Sequence, residues 1–119
     1  MIALSTRLRV WVASEPADFR CSIDGLARRV RQTLAEDPFS GALFVFRNRR
    51  RTAVKLLVYD GQGFWLCQKR LSQGRFSFWP EASPGQVLAP HALAVLLSGG
   101  DHAAAGGRRQ WPSGSTRSA

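Results

Sequence analysis

Two periods of hydrophobic and polar residues run along this chain. From Leu8 to Ala13, LRVWVA, residues Leu8, Val10 and Val12 fall on one face and Arg9, Trp11 and Ala13 on the other. Period two predicts a strand. Ser14-Glu15-Pro16 ends it, because proline has no amide to give to a ladder and restricts the residue before it. Ala17 to Arg20 reads as a loop. The period then changes, and Ile23, Leu26, Ala27, Val30 and Leu34 recur at helical spacing as one apolar stripe. Ser22 stands where an N-cap hydroxyl accepts a bond from a first-turn amide, and Asp24 complements the helix dipole. Asp37-Pro38 stops the helix near Glu36. Gly25 costs roughly 1 kcal/mol of helix propensity relative to alanine, or else permits close packing on the sheet.

The stretch from Ala42 to Trp79 returns to period two. Ala42 to Arg47 is apolar on both faces, the pattern of a central strand covered on two sides. Asn48-Arg49-Arg50-Arg51 makes a hairpin tip. Ala53 to Tyr59 returns with Val54, Leu56 and Val58 on one face, and Asp60-Gly61-Gln62-Gly63 turns the chain again. Phe64 to Leu71 begins apolar and ends polar. After Ser72-Gln73-Gly74, Arg75 to Trp79 is expected as a last short strand, and Glu81 to Gln86 as a loop. From Leu88 the spacing of Ala92, Leu93, Leu96 and Leu97 is helical, with Pro90 tolerable in the first turn and Gly99-Gly100 as the stop. The fold class that follows is α+β: a single domain with a twisted antiparallel meander of about four or five strands, packed by one helix from the N-terminal half and one C-terminal helix. The domain is expected over residues 1–102. The composition of residues 103–119, rich in Gly, Ser and Arg around a lone Trp111, predicts a disordered tail.

Charge adds a function to this outline. Lys and Arg number 17 against 8 Asp and Glu, for a formal charge of +9. Such an excess favours a polyanionic partner, nucleic acid before an anionic membrane, unless the surface is simply basic and inert. The cations concentrate on the meander as Arg47, Arg49, Arg50, Arg51, Lys55, Lys69, Arg70 and Arg75, with Arg28, Arg29 and Arg31 on the first helix. Guanidinium groups grip phosphate oxygens bidentately, so these residues are the candidate nucleic-acid contacts. The competing use of the arginine run is a solvated turn. Phe44, Phe46, Trp65, Phe76, Phe78 and Trp79 are candidates for a base-stacking platform, although aromatic side chains in a small domain more commonly build the core. Trp65, Phe76 and Trp79 are alternatively anchors for a protein partner.

Candidate chemistry is sparse. Cys21 and Cys67 lie far apart, with no CxxC or Cys/His cluster about either. Asp24, Glu36, Asp37 and Asp60 occupy common structural posts, and Asp18 alone has no local explanation. No carboxylate pair reads as a metal site, His91 and His102 form no His-x-His pair, and no serine or cysteine has a nucleophile's context. Neither catalytic residues nor a cofactor, metal or small-molecule substrate are expected, and the enzymatic alternative, ranked last, is a metal-dependent nuclease. No leader-like apolar run and no stretch long enough to span a bilayer is present, so a cytoplasmic protein with reduced thiols and no membrane partner is expected.

A family resemblance runs through the same residues. Asp18-Phe19-Arg20, Ile23-Asp24-Gly25-Leu26, DPFSGALFVFRNRRR from Asp37 to Arg51, Lys55-Leu56-Leu57, Asp60-Gly61 with Gly63-Phe64, Lys69-Arg70-Leu71, Gly74-Arg75-Phe76 and Trp79-Pro80 follow one another in order. Together they closely resemble the TnpB-type accessory protein of the insertion sequence 66 family of bacterial transposons, which is unrelated to the RNA-guided nucleases of the same name. The resemblance extends roughly from Arg7 to Asp101. It implies participation in transposition beside a separate, larger transposase that performs strand transfer, and it supplies no catalytic residues. The partners it implies are DNA, as transposon ends or target, and the transposase of the same element. The chain departs from the family pattern at Phe19, where methionine is usual, at Ser72, where an acidic residue is usual, and in the length beyond the last helix.

Overall fold

The structure, a computed structural model, describes residues 8–98. Five strands form one sheet: β1 (Val10–Ala13), β2 (Leu43–Arg47), β3 (Ala53–Tyr59), β4 (Phe64–Arg70) and β5 (Gly85–Leu88), in the order β4-β3-β2-β1-β5. Helix α1 (Ile23–Arg29) lies between β1 and β2 in the chain, and α2 (Pro90–Ser98) follows β5. The class is α+β, as the periodicity predicts. The meander itself, β2 to β4, is antiparallel, with Phe44 opposite Leu57 and Leu57 opposite Leu66. β1 instead runs parallel to β2, Val12 opposite Val45, so the sheet is mixed. A parallel neighbour requires a crossover, and α1 supplies it.

β2 is covered on both faces. On one side Val10, Val12, Leu43, Val45, Val54 and Val58 pack against Phe76, Trp79 and the α2 residues Leu93 and Leu96. On the other, Phe44, Phe46 and Leu57 pack against Leu26, Val30 and Leu34 of the first helical segment. Phe44, Phe46, Phe76, Leu26, Leu57 and Leu96 are all essentially inaccessible to solvent. Each such side chain contributes about 1.5–3 kcal/mol relative to an exposed one. The apolar stripe of the helix and the alternation of the strands therefore meet at one central strand.

Several local expectations are corrected or sharpened. Ser22 occupies the N-cap position of α1, but its side chain makes no capping bond; its carbonyl accepts from the Leu26 amide at 3.0 Å. The helix continues past Arg29 as a wider π turn over Val30–Leu34 and ends where Ala35 enters the left-handed region at φ 55°, close to Glu36 as expected. Residues 75–79 are not a strand. Phe76 and Trp79 both point into the core, three residues apart, a spacing that alternation forbids. The fifth strand is instead β5, which takes Gly85 and Gln86 from the stretch read as a loop and Leu88 from the expected start of the last helix, and it pairs antiparallel with β1 through Val10 opposite Leu88 and Ala13 opposite Gly85. Gly25 permits a close approach to Cys21 rather than to the sheet: a Cβ there would meet the Cys21 Cβ at 3.1 Å. The predicted tail and the Gly99-Gly100 stop lie outside the described residues.

Candidate nucleic-acid interface

The turn joining β2 to β3 is organised by Asn48. Its side-chain oxygen accepts from the amides of Thr52 at 2.9 Å and Ala53 at 3.1 Å, and its side-chain nitrogen donates to the Thr52 hydroxyl at 2.9 Å. The Arg51 amide donates to the Asn48 carbonyl at 3.2 Å, and Arg51 takes a positive φ of 60°. An asparagine that bonds to the backbone ahead of it is a known way to close a turn. With the backbone bonds so occupied, the side chains of Arg49, Arg50 and Arg51 are left for solvent or a ligand.

The link after β4 folds against this turn. The Leu71 amide donates to the Thr52 carbonyl and the Phe76 amide to the Arg51 carbonyl, each at 2.8 Å. Between turn and link lies a cleft of about 410 Å³ lined by Arg49, Arg50, Arg51, Gly74, Arg75, Phe76 and Ser77. Four arginines thus line one concave space, and none of the lining residues carries a carboxylate. Among the described residues the only ion pair is Arg20 with Asp18, so none of the four is paired with a carboxylate of another described residue. A concavity lined by one sign of charge focuses the field and concentrates counter-ions of the other sign.

Arg47 stands behind the cleft and has a structural duty. Its Nε and one terminal nitrogen donate to the Ser14 carbonyl at 3.3 and 3.1 Å, its other terminal nitrogen donates to the Asn48 carbonyl at 3.2 Å, and its guanidinium lies 6.0 Å from the centre of the Trp79 ring. Burial first, and then the positive charge of Arg51, holds its pKa below the ordinary arginine value, with Glu15 acting in the opposite direction. An anion beside the turn would relieve this repulsion.

The other expected contacts divide. Arg70, next to the turn across from Ala53, is exposed. Lys69 donates to the Leu97 carbonyl at 2.7 Å, near the C-terminal end of α2. Lys55 is buried, donating to the carbonyls of Phe19 at 2.8 Å and Cys21 at 3.2 Å with its ammonium 5.0 Å from the Phe19 ring. Its charge is spent inside the fold, which corrects its reading as a phosphate contact. Arg29 donates to the Pro16 carbonyl at 2.9 Å, Arg28 is exposed, and Arg31 stacks on Phe39 at 5.6 Å. Phe39 packs on Tyr59 and Phe64, at the opposite end of β3 from the arginine turn. The helix arginines therefore do not all converge with those of the turn.

The aromatic expectations are corrected in the same way. Phe44, Phe46, Phe76 and Trp79 belong to the core, and the Trp79 indole donates to the Ala13 carbonyl at 2.8 Å. Phe76 and Trp79 are thus core residues rather than docking anchors. Trp65 is 42% exposed, with its indole donating to Asp60 at 2.7 Å, and Phe78 is 64% exposed. Asp18 also gains an explanation: it accepts from the backbone amide and the guanidinium of Arg20. Among the described residues, no three His, Cys, Asp or Glu side chains come together in a way that could hold a metal ion, and no helix is long and apolar enough to cross a membrane.

Comparison with known proteins decides the family. The family described as IS66 Orf2 like protein matches residues 8–106. This chain belongs to that family. Two curated relatives from Sinorhizobium fredii (strain NBRC 101917 / NGR234) are similar to it along most of their length. The uncharacterized protein y4hO is 43% identical over 102 residues, covering 85% of this chain and 88% of the relative. The uncharacterized protein y4jC is 37% identical over 101 residues, covering 85% and 86%. No solved structure matches. As an IS66 Orf2-like protein the chain is an accessory protein of an insertion sequence, in agreement with the resemblance read from its motifs. The match spans β1 to α2, so the arginine cleft lies wholly within the family's domain.

Two parts of the cleft carry no signal in the sequence alone. Gly74 and Ser77 become lining residues only through the long-range bond from Phe76 to Arg51. Asn48 was legible as a turn residue, though its hold on three backbone and side-chain groups was not.

Proposed function

We propose that this insertion-sequence accessory protein is a non-catalytic DNA-binding factor that contacts phosphates of transposon ends or target DNA through the arginine cleft. The observation that carries the reading is the convergence of Arg49, Arg50, Arg51 and Arg75 on one concave surface without a lining carboxylate. Guanidinium groups match phosphate oxygens in charge and in planar geometry. Contacts of this kind position a protein on the backbone and carry no sequence preference by themselves. Arg70 extends the basic surface beside the cleft.

Salt titration of DNA binding tests it. Each phosphate neutralised releases counterions, so the logarithm of the binding constant should fall linearly with the logarithm of salt concentration. Replacing Arg49, Arg50 and Arg51 together by alanine should weaken binding and reduce the slope by about one for each phosphate contact removed. Absence of binding to both duplex and single-stranded DNA at low salt would sink the proposal.

A second reading, a subunit that docks onto the transposase of the same element, is favoured by the exposed aromatic group at the other end of the sheet. There Phe39 is 49% exposed and packs with Tyr59 and Phe64, while Trp65, 42% exposed, follows Phe64 on β4 and so lies on the opposite face of the sheet. Surface aromatics of this kind commonly anchor protein interfaces. Co-purification of the two proteins, lost on Trp65→Ala, supports docking; no complex with or without DNA rejects it.

A further inference from the structure

We propose that the arginine cleft takes single-stranded DNA, with Phe78 as the side chain on which an unpaired base stacks; this rests on the DNA-binding reading and assigns its substrate class. Phe78 is the most exposed large hydrophobic side chain among the described residues, at 64%. It directly follows Ser77, which lines the cleft. Its exposure is built in. On either side of the Ser77-Phe78 pair, Phe76 and Trp79 are buried, and their rings meet edge to face at 6.3 Å. Trp79 is further fixed by its bond to the Ala13 carbonyl and by the Arg47 guanidinium against its ring. Two anchored rings three residues apart hold the chain down on either side and leave Phe78 outward, next in the chain to the cleft-lining Ser77.

An exposed aromatic ring beside a groove of positive charge is the pairing that single-strand binding requires. The arginines take the backbone, and the ring takes a base face, which every nucleotide offers. A duplex satisfies only the first half, because its bases are already stacked on one another and would have to be parted to reach Phe78. The concave form of the cleft agrees with this, since a hollow lined by four arginines offers one strand room to enter.

The experiment is fluorescence anisotropy at low salt with a labelled oligothymidylate of roughly 16 nucleotides and a duplex of the same length. The single strand should bind more tightly than the duplex. Phe78→Ala should weaken single-strand binding about fivefold or more, as loss of one base stack requires, and leave duplex binding unchanged. Phe78→Trp should retain single-strand binding, whereas Phe78→Leu, which keeps an apolar side chain without a ring, should behave like the alanine variant. Because Phe78 is exposed, all three should melt like the parent protein. Duplex binding as tight as single-strand binding, or Phe78→Ala and Phe78→Leu variants that bind the single strand like wild type, overturns this inference and leaves the DNA-binding reading intact. Failure to bind either form overturns both.

Discussion

The backbone amide of Phe76 donates to the carbonyl of Arg51 at 2.8 Å, and through this bond the link after β4 becomes the second wall of the arginine cleft. The same residue drives its ring into the core beside Val45, Val54 and Trp79. One position therefore connects packing to the candidate site. Phe76→Ala leaves a cavity in the α2-side core and should cost about 3–5 kcal/mol of stability. Phe76→Leu, which keeps most of the volume, should cost clearly less. Urea denaturation measures both, and near-equal midpoints for wild type and Phe76→Ala would contradict the burial of this ring.

Lys55 provides a test that separates structural from DNA-contacting cations. Its ammonium satisfies the Phe19 and Cys21 carbonyls at the entrance to α1. Lys55→Met preserves the length of the stem and removes both bonds, which should destabilise the protein by about 1–3 kcal/mol. Because the charge is buried, the salt slope of DNA binding should not change. A Lys55→Met variant with unaltered stability and a smaller salt slope would return Lys55 to the interface.

Much of this arrangement is legible in the residues before any coordinates. The two-faced apolar run of β2, the alternation of β3 and the stripe Leu26, Val30 and Leu34 each state what they pack against, because periodicity records burial. Pairing partners are recorded far less well. Nothing in LRVWVA says that β1 joins β2 in parallel, and the four residues of β5 between Pro84 and Pro90 are too few to display a period. The cleft depends on such pairings. The arginine run is plain in the sequence, yet the opposing wall, from Gly74 to Ser77, takes its place only through bonds from Leu71 to Thr52 and from Phe76 to Arg51. For Lys55 the sequence shows a cation on a strand and gives no indication that two carbonyls lie within its reach.

Acid stability follows from two carboxylates. Hydrogen bonds from the side chain and then the backbone of Arg20 hold the Asp18 carboxyl at about 2. The amides of Gln62 and Gly63, followed by the Trp65 indole, hold Asp60 below its ordinary value. Both folded-state values lie below the unfolded ones, so their stabilisation is present above the ordinary carboxylate range, about pH 4, and is lost as pH falls through the folded values. Stability should therefore decline from about pH 4 toward the Asp18 value of about 2. The exposure of both groups keeps the effect small and sensitive to salt. NMR titration should show the Asp18 midpoint rising toward 3.8 in Arg20→Ala, and a midpoint unmoved by that change would refute the assignment.

Gly85 marks the tightest approach between β5 and its surroundings. A Cβ at this position would lie 2.8 Å from Leu34 Cδ2 and 2.8 Å from the Val12 carbonyl oxygen. The leucine side chain can give way, whereas the carbonyl belongs to the neighbouring strand and cannot without moving it. Gly85→Ala should accordingly destabilise the protein by about 1–3 kcal/mol, as overpacking does. Hydrogen exchange should show the added loss of protection in β5 and β1 before the meander. Parent-like stability of this variant would mean that β5 does not sit against β1 as described.

Arg51 holds a left-handed backbone conformation, φ 60°, in which a side chain other than glycine is strained. The site of the strain is informative, because Arg51 also lines the cleft. Glycine adopts this conformation freely, at some cost in unfolded-chain entropy. Arg51→Gly should therefore raise stability by about 0.5–1 kcal/mol, the usual gain when a residue is matched to its backbone, and should also lessen repulsion with Arg47. Under the proposed function the same change weakens DNA binding and lowers the salt slope by about one. Thermal melting and a salt titration on one preparation read both effects. Greater stability with weaker binding is the expected pair, since a strained cation that served only solubility would be removed without loss of affinity.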